Sequence, residues 1–153
     1  MTHSIPAGFT PYAYSGTSYF QTLGALYVRD GAGGTLVLGL RLATSHCNRL
    51  GIPHGGMLAT LADGALGINL NRLRRPHVPM VTVNLSLDYL SSAKVGDWLE
   101  AHVTPRKLGR QLGFGDCILK VGDREILRAT GVFASVPVKA GSPAGGLALE
   151  SDG

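Results

Sequence analysis

One stretch constrains the rest of the chain. "HGGMLATLADGALGINLNRL", residues 54–73, is the long helix candidate. Leu58, Leu61, Ala62, Ala65, Leu66 and Leu70 recur at the three- and four-residue spacing of a buried helical face. Apolar side chains continue around most of its circumference, so other elements must cover it on more than one side. Elsewhere the pattern has period two. In "VPMVTVNLSLDYL" (78–90), Val81, Val83, Leu85, Leu87 and Tyr89 alternate with Thr82, Asn84, Ser86 and Asp88. Two strand-like stretches, 22–30 and 34–43, precede the helix. Three more, 96–109, 110–121 and 124–136, follow that clear strand, the last two joined by a Gly122-Asp123 hairpin turn. This order predicts an α+β fold, an antiparallel sheet of about six strands wrapped around one long central helix. Residues 1–18 read as an irregular N-terminal segment, 19–137 as the folded domain and 138–153 as a disordered tail.

The size and charge narrow the function classes. At 153 residues the chain has the length of one domain. Its net charge of +4 suits a small molecule bearing phosphates. No Lys/Arg run extends beyond "RLRR" (72–75) and no aromatics interleave it, so a nucleic-acid partner is not expected. Cys47 and Cys117 lack CxxC spacing, and His46 and His54 lack the spacing of a helical metal pair, so no metal is expected. The N-terminus does not read as a signal peptide, and no apolar run has the length of a membrane span. A cytoplasmic protein with no membrane partner is the expectation.

Two features of the helix carry chemistry. Gly55 and Gly56 stand at its start, where N–H groups lack intrahelical acceptors and the dipole is positive. Glycine there lets a ligand oxygen approach the backbone, as in an oxyanion hole, although a tight loop-to-helix turn uses the same residues. Asp63 lies in mid-helix, on a stripe with Thr60, Gly64, Gly67 and Asn71. Something must come close to that stripe. With a partner helix there, Asp63 is a satisfied interface residue; with a substrate, it is a base or nucleophile. Taken alone, Thr82 falls on the polar face of its strand, Asn48 suits a turn, and Arg106, Lys107 and Arg110 form a solvated charge cluster.

Together, "N-x2-G-x2-HGG-x6-D" (48–63), "VTVNLSLDYLSSAKVGD" (81–97) and "KLGRQLGF" (107–114) resemble the PaaI-like branch of the hotdog-fold acyl-CoA thioesterases. The resemblance spans about residues 20–136 and implies hydrolysis of an acyl-CoA to free acid and CoA. It implies Asp63 as general base or nucleophile, the Gly55 N–H as carbonyl polariser, and Asn48 and Thr82 as residues that position water or thioester. His54 is implied near the thioester sulfur or ordering the loop, Gly56 beside the substrate, and Arg106, Lys107 and Arg110 near the CoA phosphates. No separate cofactor is implied, since CoA belongs to the substrate. A homodimer with active sites at its interface is implied, often paired into a homotetramer. A non-catalytic acyl-CoA-binding module and an acyl-CoA hydratase or dehydratase are the alternatives on this fold.

The chain itself supplies one geometric argument for two subunits. Asp63 lies eight residues beyond Gly55, roughly 12 Å along a helix. One thioester carbon cannot sit within about 3 Å of both. If both act on it, they come from two chains whose helices lie side by side. The Thr60-Gly64-Gly67 stripe is expected to allow that approach.

Overall fold

Helix α1 spans Gly55–Leu73, and the computed structural model describes residues 3–137 around it. The strands are β1 (Thr10–Pro11), β2 (Leu26–Asp30) and β3 (Leu36–Arg41) before the helix, then β4 (Met80–Tyr89), β5 (Trp98–Leu108), β6 (Leu112–Val121) and β7 (Arg124–Ser135). They form one sheet in the order β1-β2-β3-β5-β6-β7-β4, and every pairing is antiparallel. The chain leaves β3, runs through α1 and re-enters the sheet at its far edge as β4. Seven strands replace the expected six. The additional one is the two-residue β1, inside the segment expected to be irregular. The expected tail, 138–153, lies outside the described residues.

Period two on the strands meets period 3.6 on the helix, and the contact is the core. Leu99, Ala101, Leu119, Leu127 and Ala129 face Leu61, Ala62, Ala65, Leu66 and Leu70, all buried. Each large side chain contributes about 1.5–3 kcal/mol by leaving water. The helix sits close because glycines stand beneath it. A Cβ on Gly115 would approach Leu66 to 3.1 Å, and one on Gly131 to 2.8 Å. Asn69 ties α1 to the start of β3. Its Oδ1 accepts from the Leu36 N–H at 2.7 Å, and its Nδ2 donates to the carbonyls of Leu36 and Ala65, each at 3.0 Å. That pairing accounts for a fully buried amide inside an apolar helix.

The regular alternation expected along β4 is broken. Thr82 pairs with Phe133 and Asn84 with Val132, so Val83 is an extra residue in a β-bulge. A bulge reverses the side-chain phase on one side of it. Met80 and Thr82 therefore share the helix-facing side with Leu85 and Leu87. Val81 and Val83 are more than half exposed along this edge strand.

Candidate active site

The bulge brings Thr82 to Asp63. The Thr82 Oγ1 donates to the Asp63 Oδ1 at 2.7 Å. Thr82 remains exposed, as a residue on the polar face of its strand would be, but the inserted Val83 places it opposite Phe133 and on the side of the strand toward α1. Asp63 itself is half-buried. A hydroxyl donating to a carboxylate makes a charge-assisted bond, which fixes the orientation of the acceptor.

Asp63 and Thr82 line a cavity of about 310 Å³. Its helical wall is Asp63, Gly64, Gly67, Ile68 and Asn71, and Met80 and Phe133 close the sheet side. The N-terminal segment supplies the rest. Tyr12 and Tyr14 pack edge to face with ring centroids 5.1 Å apart, and Tyr14 packs against Phe20. Burial pushes both phenols above their ordinary range, with Tyr12 adding to the effect on Tyr14. Both stay neutral near pH 7. Phe20 lies directly over Gly64, where a Cβ would come within 2.2 Å of its ring. The small stripe expected to receive a partner helix is therefore filled, at Gly64, by this chain's own Phe20. A run of Tyr and Phe between residues 12 and 20 is the signal that sequence reasoning passed over when it took the segment as irregular.

The start of α1 is built by His54. It is the N-cap, and its Nδ1 accepts from the Gly56 N–H at 2.9 Å. That leaves Nε2 as the ring N–H of the neutral imidazole. A Cβ on Gly56 would sit 3.0 Å from the same ring. Gly56 is thus small to admit His54, and its N–H is already engaged. The Gly55 N–H differs: it opens the helix and has no carbonyl one turn back. The Gly55 carbonyl accepts from the Tyr89 hydroxyl at 2.7 Å, a contact from the end of β4 that the sequence did not suggest.

The remaining expected residues are spread around this frame. Asn48 shapes the preceding loop. Its Oδ1 accepts from the N–H groups of Leu50 at 2.9 Å and Ile52 at 3.3 Å, the turn role open to it from the start. Arg106 occupies a bulge between Pro105 and Lys107, and its Nε lies 2.5 Å from the Asp116 carboxylate. Lys107 and Arg110 are exposed, and none of the three basic residues lines the Asp63 cavity. The Arg110 carbonyl accepts from the Arg74 guanidinium. A His–carboxylate pair does exist, His102 Nε2 to Glu100 Oε2 at 2.9 Å. On β5 these two alternate with the buried Leu99, Ala101 and Val103, so they lie on the sheet face away from α1. Cys47 and Cys117 are free thiols, and burial pushes Cys117 up to about 12. Among the described residues no cluster of three His, Cys, Asp or Glu could hold a metal ion, and no helix is long and apolar enough to cross a membrane.

A helix-wrapping antiparallel sheet, with a carboxylate and a free helix-start N–H on one helix, is matched by a known sequence pattern. That of the Thioesterase superfamily covers residues 50–127, from the loop before α1 into β7. The chain belongs to the thioesterase superfamily. Thioester hydrolysis is the reaction class that this membership assigns it. The chain is 42% identical over 130 residues to "Putative esterase PA0474" of Pseudomonas aeruginosa, covering 85% of this chain and 96% of that one. It is 31% identical over 99 residues to human Acyl-coenzyme A thioesterase 13, covering 63% of this chain and 69% of the relative. The fold also matches the E. coli PaaI protein from the phenylacetic acid degradation operon. The TM-score is 0.68 at 23% identity, over 76% of this chain and 83% of PaaI. The thioesterase architecture is the hotdog fold expected from the sequence, α1 inside the wrapped sheet.

Proposed function

We propose that this thioesterase acts on acyl-CoA, and that Asp63 is its catalytic carboxylate. The observation that carries this reading is the 2.7 Å bond from Thr82 to Asp63 at the wall of a cavity that mixes apolar and polar side chains. The name of the human relative, an acyl-coenzyme A thioesterase, supports the substrate class. A thioester is an activated acyl group. It needs a polarised carbonyl, a base for water and a slot for the acyl chain. As general base, Asp63 takes a proton from water while the oxygen adds to the thioester carbon. The carbonyl oxygen becomes an oxyanion, held by the Gly55 N–H. The C–S bond then breaks, and the CoA sulfur leaves and is protonated. In the alternative course, Asp63 attacks the carbon itself and water opens the resulting anhydride. Thr82 holds the carboxylate in place for either. Asn48 and His54 order the loop that presents Gly55. Of the three basic residues, Lys107 and Arg110 are left to meet the CoA phosphates, since Arg106 is paired with Asp116.

Gly55 and Asp63 stand about 12 Å apart along one helix, so the complete site takes one of them from a second copy. The exposed Val81 and Val83 on the β4 edge suit docking of that copy. The assembly is a homodimer, able to pair further into a tetramer, working in the cytoplasm. The His102–Glu100 pair faces away from the cavity, which disfavours hydratase chemistry at this site. A panel of acyl-CoAs with product analysis tests the proposal. Free acid and free CoA are expected. A hydrated acyl-CoA, or every ligand returned unchanged, would contradict it.

A further inference from the structure

Strand β4 reaches the central helix with two hydroxyls. Thr82 bonds Asp63, and Tyr89, the last residue of the strand, donates to the Gly55 carbonyl at 2.7 Å. The two are seven residues apart. In an unbroken strand an odd spacing puts side chains on opposite faces. The bulge at Val83 adds one residue between them, and that residue lets both side chains meet α1. An unbroken β4 would hold one of the two helix groups and lose the other.

Tyr89 touches Gly55 with its ring as well as its hydroxyl. A Cβ on Gly55 would stand 3.2 Å from the Tyr89 Oη and 3.3 Å from Cε1 and Cζ, so the phenol lies against bare backbone. Tyr89 is 54% exposed. Its hydroxyl exchanges a bond to water for the bond to Gly55, which adds little to folding stability. The carbonyl does not require the bond either, because a carbonyl in the first turn receives the N–H four residues on. Gly55 does require a restraint. Glycine is the residue with the widest backbone freedom. It opens α1, and the His54 ring caps the N–H of Gly56, not that of Gly55.

We infer that Tyr89 is a positioning residue, which holds Gly55 so that its N–H points at the thioester oxygen. This rests on the reading of Gly55 as the carbonyl polariser and adds to it the group that aims the donor. A donor stabilises a developing oxyanion best when it is fixed in place beforehand. Tyr89 fixes this one at two points, by the bond at the Gly55 carbonyl and by the ring against its Cα. Strand β4 thereby sets both chemical groups of α1, the carboxylate through Thr82 and the N–H through Tyr89.

Tyr89→Phe keeps the ring, removes the hydroxyl and tests the inference. Its kcat should fall about tenfold, part of the roughly 10²–10³ that deleting an oxyanion donor costs. KM and melting temperature should stay unchanged, since the loss is confined to the transition state. Polarisation is read separately, with an aryl acyl-CoA isotope-labelled at its thioester carbonyl and bound to Asp63→Asn, so that it is not consumed. Binding should lower the carbonyl stretching frequency in the infrared difference spectrum. Adding Tyr89→Phe to Asp63→Asn should give back part of that shift. An unchanged kcat, or an unchanged carbonyl frequency, overturns the inference and leaves the thioesterase reading intact. So does a Tyr89→Phe chain that melts well below wild type or fails to fold, because Tyr89 is then a structural residue. If Asp63→Asn alone gives no shift, Gly55 is not the polariser, and the inference falls with that role while hydrolysis stands. If wild type hydrolyses no acyl-CoA, both readings fall together.

Discussion

Thr82 and Asp63, nineteen residues apart and on different elements, are joined by a hydrogen bond of 2.7 Å from hydroxyl to carboxylate. It exists because a single extra residue, Val83, reverses the facing of β4 at this point. Deleting the hydroxyl while keeping the shape isolates its part. Thr82→Val should lower kcat by about 10- to 100-fold, since a hydrogen bond to a charged group is worth about 1.5–3 kcal/mol. The melting temperature should move little, because the strand tolerates Val. An unchanged kcat in the folded variant would separate Thr82 from the chemistry.

Phe20 over Gly64 makes the N-terminal segment part of the cavity wall. Gly64→Ala places a methyl group where the Phe20 ring now lies. The ring is the far end of a movable side chain, so it swings away instead of unfolding the helix. Alanine in α1 offsets the loss by roughly 1 kcal/mol of helix propensity. KM should rise several-fold with little change in melting temperature. An unaltered KM would mean that Phe20 does not help hold the substrate.

The helix was legible because its pattern is local. Apolar spacing and the glycines at its start place it at 54–73, and the structure begins it at Gly55. The long strands and the Gly122-Asp123 turn were legible for the same reason. Two things were not. A β-bulge leaves no mark in apolar alternation, so Thr82 and Val83 read as facing the wrong way until the pairing with β7 is seen. The aromatic cover from Tyr12, Tyr14 and Phe20 packs on helix residues from Asp63 onward, more than forty positions later in the chain, a contact that no local pattern reports. Gly56 illustrates a subtler gap: a glycine at a helix start reads as room for a ligand, and the sequence does not report that a side chain there would also meet the His54 ring.

The two-chain site predicts complementation. Gly55→Pro removes one N–H at the first helical position, where Pro is well tolerated. Its Cβ would approach the Tyr89 ring to 3.2–3.3 Å, so a small shift of that ring is required. Co-expressed with Asp63→Asn chains, it should yield heterodimers with one intact and one doubly altered site. Activity should return to about half of wild type per heterodimer if the sites act independently. Verified heterodimers without recovered activity would show that Gly55 and Asp63 do not meet across two chains.

The most direct test of the account is turnover by Asp63→Asn, followed as CoA thiol released from the best acyl-CoA substrate. The substitution is nearly isosteric and keeps an acceptor for Thr82, so circular dichroism and melting should match wild type. Turnover should fall by about 10²–10⁴-fold, the usual scale for losing a positioned base. A folded variant that retains more than half of wild-type turnover would contradict the assignment of Asp63 as the catalytic carboxylate.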